Sequence, residues 1–205
     1  MSDLRERLKT TTAGLHRKLE SDLNLTRSDL THRDYLELLK RLAGYYEVVE
    51  NRLRRIAQGT RFEKLLCNRF KMPYLVADLE YCSERQHASA TYPLANNVPA
   101  VRSLPAALGA MYVLEGATLG GQFLTRHLKQ TLRLDELHGA VFFASYGSQV
   151  HVMWQAFCKV LAEPMEAEQE SEVIETAKET FISLHQWLCF AKDNNHVSVG
   201  VLARY

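Results

Sequence analysis

Tyr112-Val113-Leu114-Glu115-Gly116-Ala117-Thr118-Leu119-Gly120-Gly121-Gln122 is the stretch on which the reading of this chain turns. Glu115 is the only charge between Arg102 and Arg126, a run nearly long enough to span a membrane. Gly109, Gly116, Gly120, Gly121, Thr118 and Gln122 interrupt it, and the mean hydropathy of the chain is negative. It therefore reads as a helix buried in the middle of a soluble core. Glycine inside a helix costs roughly 1 kcal/mol relative to alanine, so three within 116–121 need a reason. One is close helix–helix packing at small-residue spacing. Another is a flat ligand laid directly on bare backbone, with a kink that opens and closes over it. A charge-free, Gly-rich helix also suits the wall of a large apolar pocket.

Outward from this stretch the chain reads as helical almost throughout. Leu4, Leu8, Thr11/Thr12, Leu15 and Leu19 recur at spacings of three and four, predicting an amphipathic first helix. Thr31 before Asp34 resembles an N-cap with an acidic first turn, opening a long helix to about Ala57 that Gly59-Thr60 ends. Its inner face carries Tyr35, Leu38, Leu39, Leu42, Tyr46, Val49, Leu53 and Ile56. Four of the five prolines lie between Pro73 and Pro105, which predicts short helices near 61–70 and 73–85 and a loop near 91–102. Ser103 caps the charge-free helix. A helix over about 148–161 follows, Pro164 breaks it, and a last helix runs from about Ala167 to Ala191. Strand alternation and internal repeats are missing, so the expectation is one all-α domain over 1–205, with 195–205 as a tail.

Composition narrows the function classes. At 205 residues the chain is long enough for a substantial core. Its 25 Lys+Arg against 24 Asp+Glu create no global pull towards nucleic acid or an anionic membrane. Cys67, Cys82, Cys158 and Cys189 form no Cys-x-x-Cys pair, which points to a reducing compartment. The start, Met1-Ser-Asp-Leu-Arg-Glu-Arg, is charged where a signal peptide needs an apolar run. No two of the eight histidines lie within four residues of each other, so a helix-borne zinc site is not expected. Histidine chemistry here would need one His acting with a larger partner. His16 and Glu20, four apart, share one helix face. An imidazole that ligates iron through one nitrogen usually gives its other N–H to such a carboxylate. The same spacing also describes an ordinary surface pair.

Three segments appear in order over about residues 4–190: Thr12-x-x-x-His16-x-x-Leu19-Glu20, the 112–122 stretch, and Phe143-x-x-Tyr146-Gly147 with Met153-Trp154-x-x-Phe157. With them the chain resembles the haem oxygenases, most closely the soluble bacterial kind that supplies biliverdin to phytochromes. The resemblance implies an all-α helical bundle with haem held between the first (proximal) helix and a Gly-rich distal helix. His16 would be the iron ligand and Glu20 its hydrogen-bond partner. Gly116, Gly120 and Gly121 would form the distal wall at which catalysis occurs. Lys9, two turns before His16, and His151 are candidates for the haem propionates. Tyr112 is a candidate propionate or pocket contact, and equally a core aromatic.

A neutral His ligand supplies less electron push than a thiolate, and bare glycine backbone leaves room for ordered water to deliver protons. Some family members carry Asp directly after the first distal glycine. Here Ala117 stands there, so water held by backbone, Thr118 or Gln122 would take over that role. The implied reaction opens haem, both cofactor and substrate, to biliverdin, carbon monoxide and iron with O2. No flavin or nucleotide motif is visible, so electrons would come from an external donor such as a ferredoxin. A bacteriophytochrome is the implied biliverdin acceptor. The polar segment 194–205 is too short for the membrane anchor of the eukaryotic relatives, and the expected location is cytoplasmic. The competing reading is a haem- or bilin-binding carrier or sensor on the same fold that does not turn haem over.

Overall fold

The computed structural model describes residues 3–190 and 199–200. Short-range chemistry sets the starts of the long early helices. Helix α1 (Leu4–Leu23) is capped by the Asp3 side chain and ends at Asn24 in the left-handed conformation. Helix α2 (His32–Ala57) opens with a complete capping box, Thr31 accepting from the Asp34 N–H while Asp34 accepts from the Thr31 N–H. Helices α3 (Glu63–Cys67) and α4 (Met72–Arg85) fill the punctuated region. In the expected loop, Tyr92–Pro93 pairs antiparallel with Val199–Gly200, a contact too short to alter the all-α class.

The charge-free run departs from expectation. It is not one buried helix but three pieces: α5 (Leu104–Gly116), a 3-10 turn (Ala117–Gly120) and α6 (Gly121–Thr131). Ser103 caps α5 as expected, its hydroxyl accepting from the Ala106 N–H at 3.1 Å. Residues 106–115 are buried all round, whereas α6 presents an open face. The break follows from composition. Three glycines weaken the helix, and the Thr118 hydroxyl donates to the Glu115 carbonyl at 2.7 Å, within the turn where the i to i+4 ladder gives way. Among the described residues no helix is long and apolar enough to cross a membrane.

Helix α7 (Val141–Ala144), a 3-10 turn (Gly147–Gln149), α8 (Val150–Leu161) and α9 (Ala167–Phe190) complete the described chain. The expected end of the last helix at Ala191, and all of the expected tail except 199–200, lie outside the described residues. One core joins α1, α2, α4, α5 and α9. Helix α5 lies so close to α9 that a methyl group at Gly109 would sit 3.0 Å from Thr176 Cβ and 3.1 Å from the Ala177 nitrogen. The small-residue spacing of α5 thus serves helix packing at Gly109. Helix α1 packs along α9 and touches α8, while the 3-10 turn packs on α8 as well. The first helix and the Gly-rich turn at 117–120 therefore both rest on α8.

Candidate functional site

The first half of the site lies on α1. Leu4, Leu8, Thr12 and Leu19 point into the core, which turns His16 outward. Its side chain is 51% exposed, with Nε2 3.3 Å from Glu20 Oε1 and the ring 5.6 Å from the Phe181 ring of α9. The i, i+4 pair expected from the sequence is thus formed, and among the described residues none hydrogen-bonds the Nδ1 nitrogen. A carboxylate thus lies beside one ring nitrogen, where a partner that orients an imidazole would stand. Lys9 stands on the same helix, 72% exposed, with a loose 3.8 Å contact to Glu6.

The second half is the segment across the helix break. Gly116, Leu119, Gly120 and Phe123 fall at i, i+3, i+4 and i+7, on one face. Phe123 is 60% exposed and Leu119 39%. A methyl group at Gly120 would meet no atom within 4 Å, and one at Gly116 would meet only the Trp154 ring at 4.0 Å. Gly121 is different: it points away from this face, and a methyl group there would sit 3.0 Å from the Phe143 carbonyl carbon and overlap its oxygen. The three glycines grouped by sequence therefore split into two that bare a surface and one that lets α7 approach.

Tyr112 lies one turn before Gly116, buried, with its ring 5.7 Å from Trp154. Burial raises its pKa, and its hydroxyl end lies beside Thr12 of α1. It is thus part of the packing beneath the open face. His151 is exposed on the first turn of α8, and neither it nor Lys9 is joined to the His16 pair by a hydrogen bond.

Behind the open face is a cluster that the sequence reading did not find. Glu115 is fully buried and paired with Arg69, equally buried. Its other oxygen lies 3.4 Å from Lys71 Nζ and accepts from the Tyr146 hydroxyl at 2.8 Å. The Lys71 ammonium also sits 3.6 Å over the Tyr146 ring. Burial lowers the Lys71 pKa to about 8, against the opposing pull of Glu115. Glu50 of α2 accepts from the Lys71 and Met72 N–H groups, yet burial still raises its carboxyl to about 7. The available signal was Glu115 itself, since a lone charge in a buried helix must be paired. The identity of its partners was not available from local sequence.

Several solved structures share the fold, three of them as follows. That of NO- and CO-bound heme oxygenase from Neisseria meningitidis has 22% identity, a TM-score of 0.71, and coverage of 95% of this chain and 96% of that one. Heme oxygenase from Leptospira interrogans gives 16%, 0.71, and 91% and 98%. Heme oxygenase-1 from Synechocystis sp. PCC 6803 in complex with heme gives 15%, 0.72, and 91% and 90%. No curated protein matches the chain significantly in sequence. The Heme oxygenase family model matches residues 2–189, which takes in α1, the broken glycine segment and α7 with the turn after it, so the chain belongs to the haem oxygenase family.

Proposed function

We propose that this protein opens haem to biliverdin, carbon monoxide and iron, using O2 and electrons from an external donor such as a ferredoxin. The observation that carries the reading is the open stripe of Gly116, Leu119, Gly120 and Phe123, in a chain of this family. Exposed apolar surface of this kind marks a binding face. Haem fits it: the flat macrocycle would cover Leu119 and Phe123 and rest on Gly120, where no side chain intervenes.

Haem bound there supplies the iron at which oxygen is activated and is also the substrate that is opened. His16 would hold the iron through one ring nitrogen, with Glu20 orienting the ring through the other. Lys9 and His151, both exposed and cationic or able to become so, are the residues to meet the propionates. Gly116 and Gly120 leave space for water, and neither they nor Ala117 carry an acid, so water passes the protons. Gly121 contributes through the packing of α7. The proposal includes a cytoplasmic location and a bacteriophytochrome as acceptor of the biliverdin.

A haem titration tests this. The wild type should bind haem saturably with a His-ligated spectrum, and His16→Ala should abolish or weaken that spectrum. Reductant and oxygen should then bleach the Soret band and leave a bilin. A complex that stays intact under those conditions would make the protein a carrier or sensor. Lack of saturable binding would overturn both readings.

A further inference from the structure

Tyr146-Gly147, part of the third family segment, takes no part in the open face, yet the strap that carries it is pinned at several points. Residues 141–149 run behind the helix break. The buried Asp78 carboxylate of α4 accepts from the Val141 and Phe142 N–H groups at 2.8 Å each, anchoring the start of α7. Ser145 then adopts φ +41° and ψ −109°, which a residue with a Cβ adopts only when its surroundings impose it. Gly147 follows at φ +54°. This tight turn swings the Tyr146 side chain back towards α5.

Three contacts tie the strap to the distal segment, and they straddle the break. The Phe143 backbone lies against Gly121, and Gln122 Nε2 donates to the Gly147 carbonyl at 2.9 Å, both on the α6 side. On the α5 side the Tyr146 hydroxyl donates to Glu115. Glu115 cannot drift, because Arg69 and Lys71 hold it from the segment between α3 and α4. The strap thus grips both arms of a helix that is weak at its middle, and Tyr146 is its hold on the α5 arm.

We propose that Tyr146 is a positioning residue: through Glu115 it locks the α5–α6 break and so sets where Gly116 and Gly120 stand against their ligand. The functional part of this rests on the haem-opening reading above. Tyr146→Phe keeps the ring, its packing and the Lys71 contact, and removes only the hydroxyl. A hydrogen bond to a buried charge is of a size that changes a local opening equilibrium by about tenfold.

The test begins on haem-free protein. The amides of Ala117 and Gly121 donate to backbone carbonyls across the break, so their hydrogen exchange reports its opening. In Tyr146→Phe both should exchange about tenfold faster, while amides of 107–112 in the middle of α5 keep their wild-type protection. On haem-loaded protein, the dissociation constant should rise several-fold and the mixture of biliverdin isomers should broaden, which a general loss of stability would not produce. Unchanged exchange at Ala117 and Gly121, or an equal rise throughout α5, overturns the proposal. A wild type that fails to bind haem would overturn the functional reading instead, and would leave the exchange result standing.

Discussion

Two neighbouring glycines should respond to alanine in opposite ways. Gly120 has φ −84° and ψ −10°, a conformation alanine adopts without strain, and an added methyl group there meets no atom within 4 Å. Gly120→Ala should therefore stabilise the haem-free protein, by about 0.5–1 kcal/mol from helix propensity and reduced freedom of the unfolded chain. For a chain of this length that is a rise in melting temperature of roughly 1–4 °C. Gly121 has equally ordinary dihedrals, φ −60° and ψ −40°, but no space. Its new methyl group would lie 3.0 Å from the Phe143 carbonyl carbon and overlap the carbonyl oxygen, so backbone must move. Overpacking of this kind costs about 2 kcal/mol or more, a fall of roughly 4–8 °C. Haem affinity should run the other way for Gly120. The methyl group stands where the macrocycle would rest, so Gly120→Ala should weaken binding at least tenfold while the fold gains stability. Thermal denaturation of both variants without haem, followed by haem titration of Gly120→Ala, checks all three outcomes. A destabilised Gly120→Ala would refute the open geometry, an unaffected Gly121→Ala would refute the α7 contact, and wild-type haem affinity in Gly120→Ala would refute the wall.

Other consequences concern the buried charges and a cap. Arg69→Met leaves the buried Glu115 with Lys71 as its remaining cation, beside the Tyr146 hydroxyl, and should cost about 3 kcal/mol or more in denaturant unfolding, because it removes one partner of a buried ion pair. Glu50 and Asp78 have carboxyls raised by burial to about 7 and about 6, above their unfolded values of 4.5 and 3.8. The stability they contribute is complete below about pH 4 and is lost as pH rises through 6 and 7; Glu50→Gln should flatten the fall in melting temperature between pH 5 and 7.5, and an unchanged slope would exclude Glu50 as its source. Thr31→Ala removes half of the capping box of α2 and should lower stability by about 1 kcal/mol, measurable by the same unfolding curves.

How much of this was legible in advance depended on how far along the chain each cause lies. Thr31 with Asp34 and Ser103 with Ala106 act within three residues, so the starts of α2 and α5 could be read directly. The outward turn of His16 follows from the leucines around it, and its pairing with Glu20 is a matter of helical pitch. The charge-free run ends as a buried helix at Gly116 rather than at Arg126, because a lack of charge looks the same in a buried helix and in an open apolar face. Gly44, in the middle of α2, carries no local signal of its role, although a methyl group there would sit 2.9 Å from the Pro93 carbonyl carbon.

By itself, then, the sequence determined the helical class, most helix ends, the His16–Glu20 pair and the weakness of the helix at 116–121. These depend on neighbours within one or two turns. The tertiary structure alone decided that Gly116 and Gly120 bare a surface while Gly121 seats α7. It alone brought Arg69 and Lys71 to Glu115 across more than forty residues, and aimed Tyr146 at the same carboxylate. A helical wheel states which residues share a face; whether that face meets water, a backbone carbonyl or a buried cation is decided by chain packed against it from elsewhere.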